Sequence, residues 1–118
     1  MKKFIILPTY NEAENLPKLV KTIFDLQIPD LHIIVVDDNS PDKTAQDVQE
    51  LMHKFPNLSL LFRESKTGLG DAYKDGIRRV VFDPEVRNII TMDADGSHDP
   101  GYLTEILRYI EYSDFVVC

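Results

Sequence analysis

The sequence alternates short apolar runs with amphipathic stretches, and this alternation constrains the fold more than any other feature. Residues 31–36 are apolar and largely β-branched, as expected for a strand that is covered on both faces. Residues 14–26 carry apolar side chains at helical spacing and predict an amphipathic helix. Because helices that connect successive strands favour parallel pairing, the chain is predicted to be an α/β protein. It should have a mostly parallel sheet with helices on both faces.

The same pattern extends along the chain in the order β-α-β-α-β-α-β-α-β. The predicted strands are residues 3–7, 31–36, 58–62, 86–92 and 114–118. The predicted helices are residues 14–26, 40–55, 69–82 and 100–112. The second helix is expected to begin at Ser40 and Pro41, since serine is a good N-cap and proline suits the first helical position. The side chains predicted to face inward from the first three helices are Leu16, Leu19, Val20, Ile23, Phe24, Ala45, Val48, Leu51, Met52, Ala72, Tyr73, Ile77 and Val80.

Length and charge exclude several classes of protein. The 118 residues amount to one domain. The net charge of −7 argues against non-specific binding to nucleic acid, which requires a basic face. No stretch approaches the roughly 18 consecutive apolar residues that a membrane span needs, and the first apolar run is too short for a signal peptide. The single cysteine, Cys118, excludes an internal disulfide and fits a reducing, cytoplasmic setting.

Polar loops follow four of the predicted strands. These loops span residues 8–12, 37–42, 63–70 and 93–99. The carboxyl ends of parallel strands meet at one edge of a sheet, and binding crevices of open α/β sheets lie outside that edge. The loops are therefore predicted to converge on one binding site, and this convergence is stronger evidence than any single motif.

The fourth loop begins with two carboxylates two residues apart, Asp93 and Asp95. Such a pair offers several oxygen ligands in a small volume, and hard divalent cations such as Mg²⁺ prefer oxygen ligands. Solvated aspartates in a turn are the alternative. The position directly after an apolar strand favours a metal site that could bridge a diphosphate.

The second loop begins with Asp37 and Asp38, at the end of the most apolar strand. A carboxylate there can accept a hydrogen bond from a nucleobase N–H or a ribose hydroxyl. Helix capping is the alternative, and neighbouring residues could divide the two roles. In the first loop, Tyr10 could stack on a base or pack on the helix, and Asn11 or Glu12 could cap it.

Other features carry weaker signals. The sequence contains neither the Gly-x-Gly-x-x-Gly motif of dinucleotide-binding proteins nor a P-loop. The third loop has two glycines, at positions 68 and 70, and its nearest basic residues for a phosphate are Lys66 and Arg63, either of which could instead be solvated. His98 is a second-rank candidate for a metal ligand or general base, because a lone histidine beside a helix is more often structural.

Four ordered motifs together resemble those of family 2 glycosyltransferases. They are ILPTYNEAENL at residues 6–16, IIVVDDNSPDKT at 33–44, KTGLGDAYKDG at 66–76 and MDADGSHDP at 92–100. The resemblance is greatest to the branch with dolichol- and polyprenol-phosphate mannosyltransferases. It implies the GT-A fold, a Rossmann-type sandwich that binds a nucleotide-diphospho-sugar. It also implies inverting, metal-assisted transfer of a sugar, in the first place mannose from GDP-mannose, to a polyprenyl or dolichyl phosphate.

The resemblance also implies roles for individual residues. The donor-binding positions that match are Pro8, Tyr10, Glu12, Val36, Asp38, Met92 and Ala94. Asp93 and Asp95 match the catalytic pair that binds the divalent metal, Mg²⁺ or Mn²⁺. Some relatives place a glutamine two residues after the second aspartate. This chain has Ser97 there, which is a weaker ligand and ranks second with Lys66 and His98.

Family enzymes continue well beyond this length, so residues 1–118 are expected to form the donor-binding domain, truncated before the acceptor-binding part. A lipid-phosphate acceptor would bring the enzyme to the inner face of a membrane as a peripheral protein. One alternative is a non-catalytic nucleotide-sugar binding module. Another is transfer from a UDP-sugar to a different acceptor. A receiver-like signalling domain fits poorly, because the third strand ends in Leu61, Phe62 and Arg63, without the expected aspartate.

Overall fold

The structure is a computed structural model that describes residues 2–11, 13–64, 69–92, 105 and 116–117. Its strands are β1 (Lys2–Thr9), β2 (Leu31–Asp37), β3 (Leu58–Phe62), β4 (Val86–Thr91) and β5 (Val116–Val117). Its helices are α1 (Leu16–Asp25), α2 (Thr44–Met52) and α3 (Leu69–Val81). The predicted order of elements is confirmed for these parts of the chain. Of the predicted helix 100–112, only Glu105 is described, and it is helical.

The strands form one sheet in the order β3-β2-β1-β4-β5, and every neighbouring pair is parallel. The chain runs outward from β1 to β3 and then returns to β4 on the other side of β1. This reversal of strand order beside β1 is the position at which open α/β sheets form a binding crevice. Thr9 pairs with Asp37, and Asp37 pairs with Phe62, so β1, β2 and β3 end side by side.

Side chains of the central strands alternate between two apolar clusters, one on each face of the sheet. Ile5 and Ile33 pack with α1 and α2 on one face. Ile6 and Ile34 pack with α3 on the other. Because the side chains of a strand point alternately to its two faces, both faces of β1 and β2 must be apolar when helices cover both. The predicted layers, with helices on both faces of a parallel sheet, are confirmed.

The second helix differs from its prediction at both ends. It begins at Thr44 and not at Ser40, whose hydroxyl group is engaged elsewhere in the loop. It ends at Met52, which is 36% exposed, so the prediction that Met52 faces inward was wrong. Met52 lies four residues, about one helical turn, after the buried Val48, but it is the last residue of the nine-residue helix and its side chain stays partly in solvent.

None of the helices in the described ranges has the length and hydropathy that a bilayer crossing requires.

Candidate functional site

Asp37 fixes the geometry at the carboxyl ends of β1 and β2. Its side chain is fully buried and accepts hydrogen bonds from the Thr9 hydroxyl at 3.0 Å and the Ser40 hydroxyl at 2.6 Å. It also accepts one from the Ser40 backbone N–H at 3.2 Å. A buried carboxylate is stable only when such donors replace its lost hydration. Asp37 is therefore a structural residue that joins the strand ends to the loop after β2.

The loops that follow β1 and β2 are bound to each other. The Asn11 backbone N–H donates to the Ser40 hydroxyl at 2.9 Å, and the Asp42 backbone N–H donates to the Asn11 side-chain oxygen at 3.4 Å. The Ala13 backbone N–H donates to the Asp42 carboxylate at 3.1 Å. These three bonds set the spacing of the two loops over the edge of the sheet.

Two asparagines turn the backbone sharply in these loops. Asn11 has φ of 56° and Asn39 has φ of 54°, both in the left-handed region. Asparagine adopts this conformation more readily than other residues with a side chain, because its short amide can hydrogen-bond locally. The Asn39 amide also donates to the Glu64 carbonyl at 3.0 Å, which connects the loop after β2 to the end of β3.

Asp42, two residues before α2, accepts the side-chain hydrogen bonds at the start of the helix that Ser40 was predicted to make. Its carboxylate accepts hydrogen bonds from the Thr44 backbone N–H at 3.0 Å and from the Thr44 hydroxyl. Burial raises the pKa of Asp42, but the bonds from the Thr44 hydroxyl, the Ala13 N–H and the Thr44 N–H outweigh it. The pKa of Asp42 is therefore below its usual value. The carboxylate thus belongs to the turn that starts the helix.

Replacing Asp42 with alanine is expected to lower the free energy of unfolding by about 1 kcal/mol at pH 7, the usual effect of losing a helix-start carboxylate. A carboxyl pKa that is lower in the folded chain contributes stability above its unfolded value, 3.8, and loses it as the pH falls through the folded value. The difference in unfolding free energy between the wild-type chain and Asp42→Ala should therefore narrow below about pH 4. Urea unfolding of both proteins at pH 7 and pH 3 measures this difference. An equal difference at both pH values would contradict the conclusion that the ionised Asp42 carboxylate stabilises the start of α2.

Asp38 and Arg63 form an ion pair beside this network. Asp38 follows β2, and its backbone N–H donates to the Thr9 carbonyl at 3.2 Å. The Arg63 Nε lies 3.3 Å from Asp38 Oδ1 and 3.3 Å from Asp75 Oδ2 on α3. The side chains of Asp38 and Arg63 are only 7% and 12% exposed. Of the two roles considered for Arg63, phosphate binding or solvation, the structure contradicts solvation, because the side chain lies between two carboxylates.

Five of the predicted donor-binding residues lie within the described parts of the chain. Pro8 is buried and pairs with Val36 across β1 and β2. Val36 is also fully buried, and its side chain packs against α3. Tyr10 is 39% exposed, while Asp38 is 5% exposed. Met92 is buried, and its backbone N–H donates to the Ile6 carbonyl at 3.1 Å, so β4 also ends at this edge.

The remaining predicted site residues lie outside the described ranges. They are Glu12, Lys66, Asp93, Ala94, Asp95, Ser97 and His98. Within the described ranges, no group of three or more histidine, cysteine, aspartate or glutamate side chains could hold a metal ion. The assignment of the metal site to Asp93 and Asp95 therefore stays a prediction from the sequence.

The sequence analysis missed the role of Thr9 and assigned Ser40 to a helix cap. Both side chains bind the buried Asp37 carboxylate. It also missed that Arg63 is paired. A signal for this was present, because aligning the ends of β2 and β3 puts Arg63 one residue past Phe62, just as Asp38 lies one residue past Asp37. Opposite charges at matching positions of neighbouring strands are expected to pair.

The sequence is similar to a known protein family and to several of its members. The family described as Glycosyl transferase family 2 matches residues 4–118. The chain belongs to this family. Polyprenol monophosphomannose synthase from Mycolicibacterium smegmatis is 41% identical over 115 residues, with 93% of this chain and 41% of the relative covered. Undecaprenyl-phosphate mannosyltransferase from Micrococcus luteus is 37% identical, with 99% and 47% covered. Dolichol-phosphate mannosyltransferase from Pyrococcus furiosus is 38% identical, with 94% and 30% covered.

This family 2 chain thus spans less than half the length of these curated relatives. Solved structures share its GT-A fold. TarS 1-349 from S. aureus in complex with UDP-GlcNAc has a TM-score of 0.77 at 25% identity and covers 95% of this chain and 32% of that one. Mannosyltransferase PcManGT from Pyrobaculum calidifontis, in complex with GDP-Man and Mn2+, has a TM-score of 0.63 at 28% identity. That match covers 66% of this chain and 24% of the other.

Proposed function

We propose that this chain is the donor-binding part of a glycosyltransferase. The proposed enzyme transfers mannose from GDP-mannose to a polyprenyl or dolichyl phosphate, with inversion at the anomeric carbon. The observation that carries the proposal is the Asp38 carboxylate, held at the end of β2 beside the bonded loops after β1 and β2. The names of the three mannosyltransferase relatives support the choice of sugar and of acceptor.

The nucleoside of the donor is proposed to lie over the ends of β1 and β2. There Asp38 accepts a hydrogen bond from a nucleobase N–H or a ribose hydroxyl. Tyr10, at 39% exposure, offers an aromatic face to the base. Pro8 and Val36, which are buried and paired near the ends of β1 and β2, are proposed to support the nucleoside from the sheet. Glu12 and Ala94 complete the proposed donor-binding set by their match to the family motifs.

The diphosphate is proposed to lie towards β4. Asp37 at the end of β2, with Asp38 and Asp42 after it, brings three carboxylates together, and within the described ranges Arg63 forms an ion pair with one of them, Asp38. An anionic ligand at such a rim needs added positive charge. Asp93 and Asp95 follow the buried Met92 directly in the sequence, and their oxygens suit a hard cation. The divalent cation they would hold, Mg²⁺ or Mn²⁺, supplies positive charge opposite the departing nucleoside diphosphate. Lys66, Ser97 and His98 remain second-rank candidates near the phosphates.

The acceptor is proposed to bind a part of the protein that lies beyond residue 118, because the curated relatives are more than twice as long. A phosphate monoester is already ionised near neutral pH, so its attack on the anomeric carbon needs no strong general base. A polyprenyl or dolichyl acceptor would hold the enzyme at the inner face of a membrane as a peripheral protein.

A UDP-sugar donor is the second candidate, favoured by the fold match to TarS in complex with UDP-GlcNAc. A non-catalytic nucleotide-sugar binding module is the third. The base preference separates the first two. Transfer of labelled mannose to a polyprenyl phosphate, by the chain or by the longer protein that contains it, separates both from the third.

Calorimetric titration of the chain with GDP and with UDP, with and without Mn²⁺, tests the proposal. GDP is expected to bind about tenfold more tightly or better when Mn²⁺ is present, since relief of charge repulsion by 1.4 kcal/mol is already tenfold. The Asp93→Asn/Asp95→Asn variant is the control and should lose the effect of Mn²⁺. Preference for UDP would select the second candidate. A folded chain that binds neither nucleotide would overturn the proposal.

A further inference from the structure

Arg63 lies between two carboxylates from different layers of the fold. Its Nε is 3.3 Å from Asp38 Oδ1 at the sheet edge and 3.3 Å from Asp75 Oδ2 on α3. The Arg63 side chain is 12% exposed, so solvent screens these interactions less than it would on an open surface. A guanidinium whose Nε lies between two carboxylates attracts both, and this attraction restricts the rotation of all three side chains.

The backbone also fixes the position of Arg63. Its N–H donates to the Asp37 carbonyl at 2.8 Å, which continues the β2–β3 pairing one residue past Phe62. Arg63 therefore emerges from the sheet beside Asp38, and the ion pair does not depend on the long loop that follows it. The pair is built from two strand ends whose register is set by the core.

Asp75 reaches Arg63 because α3 lies very close to the sheet. Gly76, the next residue, faces the sheet so closely that a Cβ atom there would lie 2.6 Å from Ile6 Cγ2 and 3.2 Å from Val36 Cγ2. Asp75 is also 3.4 Å from Arg78 Nη1, an arginine that is 71% exposed. Four alternating charges thus run from the sheet edge to the surface of α3, and Arg63 is the one that contacts Asp38.

We propose that Arg63 is a positioning residue, which orients the Asp38 carboxylate for the nucleoside of the donor, and that Asp75 holds Arg63 in place. This inference rests on the proposed function, because it assigns Arg63 to the Asp38 end of that same site. With two carboxylates beside it, Arg63 carries little net positive potential for a diphosphate. It therefore acts on recognition of the nucleoside through Asp38, and not on recognition of the phosphates.

A positioning role, a phosphate-binding role and a role in folding alone differ in which ligand loses affinity when the residue is changed. A residue that positions Asp38 changes binding of a nucleoside diphosphate and leaves binding of pyrophosphate unchanged, because pyrophosphate has no base or ribose. A residue that binds phosphate changes both. A residue needed only for folding also changes both, since it reduces the fraction of competent protein.

Calorimetric titration in the presence of Mn²⁺ measures the affinity of each variant for inorganic pyrophosphate and for a nucleoside diphosphate. The nucleotide used is GDP or UDP, whichever the wild-type chain binds more tightly. Arg63→Ala is expected to weaken binding of the nucleoside diphosphate about tenfold to a hundredfold, the range for a hydrogen bond to a charged group, and to leave binding of pyrophosphate unchanged. Arg63→Lys keeps the charge without the forked geometry and should restore part of the affinity. Asp75→Ala should also weaken binding of the nucleoside diphosphate, by a smaller factor than Arg63→Ala.

Arg78→Ala is the matched control, since it removes a cation from the same Asp75 without contact to Asp38, and it should leave both affinities unchanged. Equal loss of nucleotide and pyrophosphate in Arg63→Lys and Asp75→Ala would overturn the positioning role while leaving the proposed function in place. Unchanged affinities in all Arg63 variants would do the same. If the wild-type chain binds neither nucleoside diphosphate, the proposed function fails and this inference fails with it.

Discussion

Replacing Asp37 with alanine is expected to lower the free energy of unfolding by about 3–5 kcal/mol. The carboxylate is fully buried and accepts three hydrogen bonds, two from Ser40 and one from Thr9. Hydrogen bonds to a charged group contribute about 1.5–3 kcal/mol each, and the loss leaves the donors without a strong acceptor in a buried place. Urea denaturation followed by far-UV circular dichroism measures the change.

Two further variants test the cause. Asp37→Asn keeps one side-chain oxygen and should lose part of this stability, because an amide N–H₂ in place of Oδ2 cannot accept the hydrogen bond from the Ser40 backbone N–H. Asp25→Ala removes a carboxylate from the exposed end of α1 and should change stability by less than about 0.5 kcal/mol. If Asp37→Ala unfolded at the same urea concentration as Asp25→Ala, the buried network would not be what joins the two loops to the sheet.

The layers of the fold could be predicted from the sequence because every central strand must be apolar on both faces. Ile5 and Ile6 are adjacent, yet they enter opposite cores, and this is possible only when helices cover both faces of the sheet. The helical spacing in α1 also identified its buried residues, including Leu16 and Ile23. These features depend on local periodicity, which a single sequence displays directly.

The loops were harder to predict because several polar residues could fill the same role. Ser40 is a good N-cap residue, but its hydroxyl donates to the buried Asp37 carboxylate, and Asp42 instead accepts from the Thr44 N–H at the start of α2. Met52 was assigned to the core by spacing, while the helix ends there, so its side chain is left in solvent. Such choices depend on partners distant in sequence.

Asp37 and Asp38 show how adjacent residues divide two roles that the sequence could not separate. Consecutive residues at a strand end point to different sides, so Asp37 turns into the loop network and Asp38 meets Arg63. The sequence analysis left capping and base recognition open between neighbouring residues. The structure assigns the internal hydrogen bonds to Asp37, which leaves Asp38 as the carboxylate proposed to recognise the nucleoside.

Gly76→Ala is expected to destabilise the chain by about 1–3 kcal/mol, although alanine is the better helix former. Alanine at an exposed helical position gains up to about 1 kcal/mol over glycine. At position 76 the new Cβ would lie 2.6 Å from Ile6 Cγ2, far inside the separation of about 3.5–4.0 Å that non-bonded carbon atoms prefer. Ile6 is fully buried in a packed core, so α3 must move away from the sheet, and packing of Ala72 and Val80 on the same stripe is loosened.

Gly70→Ala provides the matched control, because it is also in α3 and a Cβ there meets nothing within 4 Å. It should leave stability unchanged or raise it by up to about 1 kcal/mol, so the two variants should shift the urea midpoint in opposite directions or by clearly different amounts. Equal shifts would mean that α3 is free to move and that its close approach to the sheet is not required. A moved α3 also carries Asp75 away from Arg63, so Gly76→Ala should weaken the nucleoside diphosphate more than pyrophosphate, whereas Gly70→Ala should not.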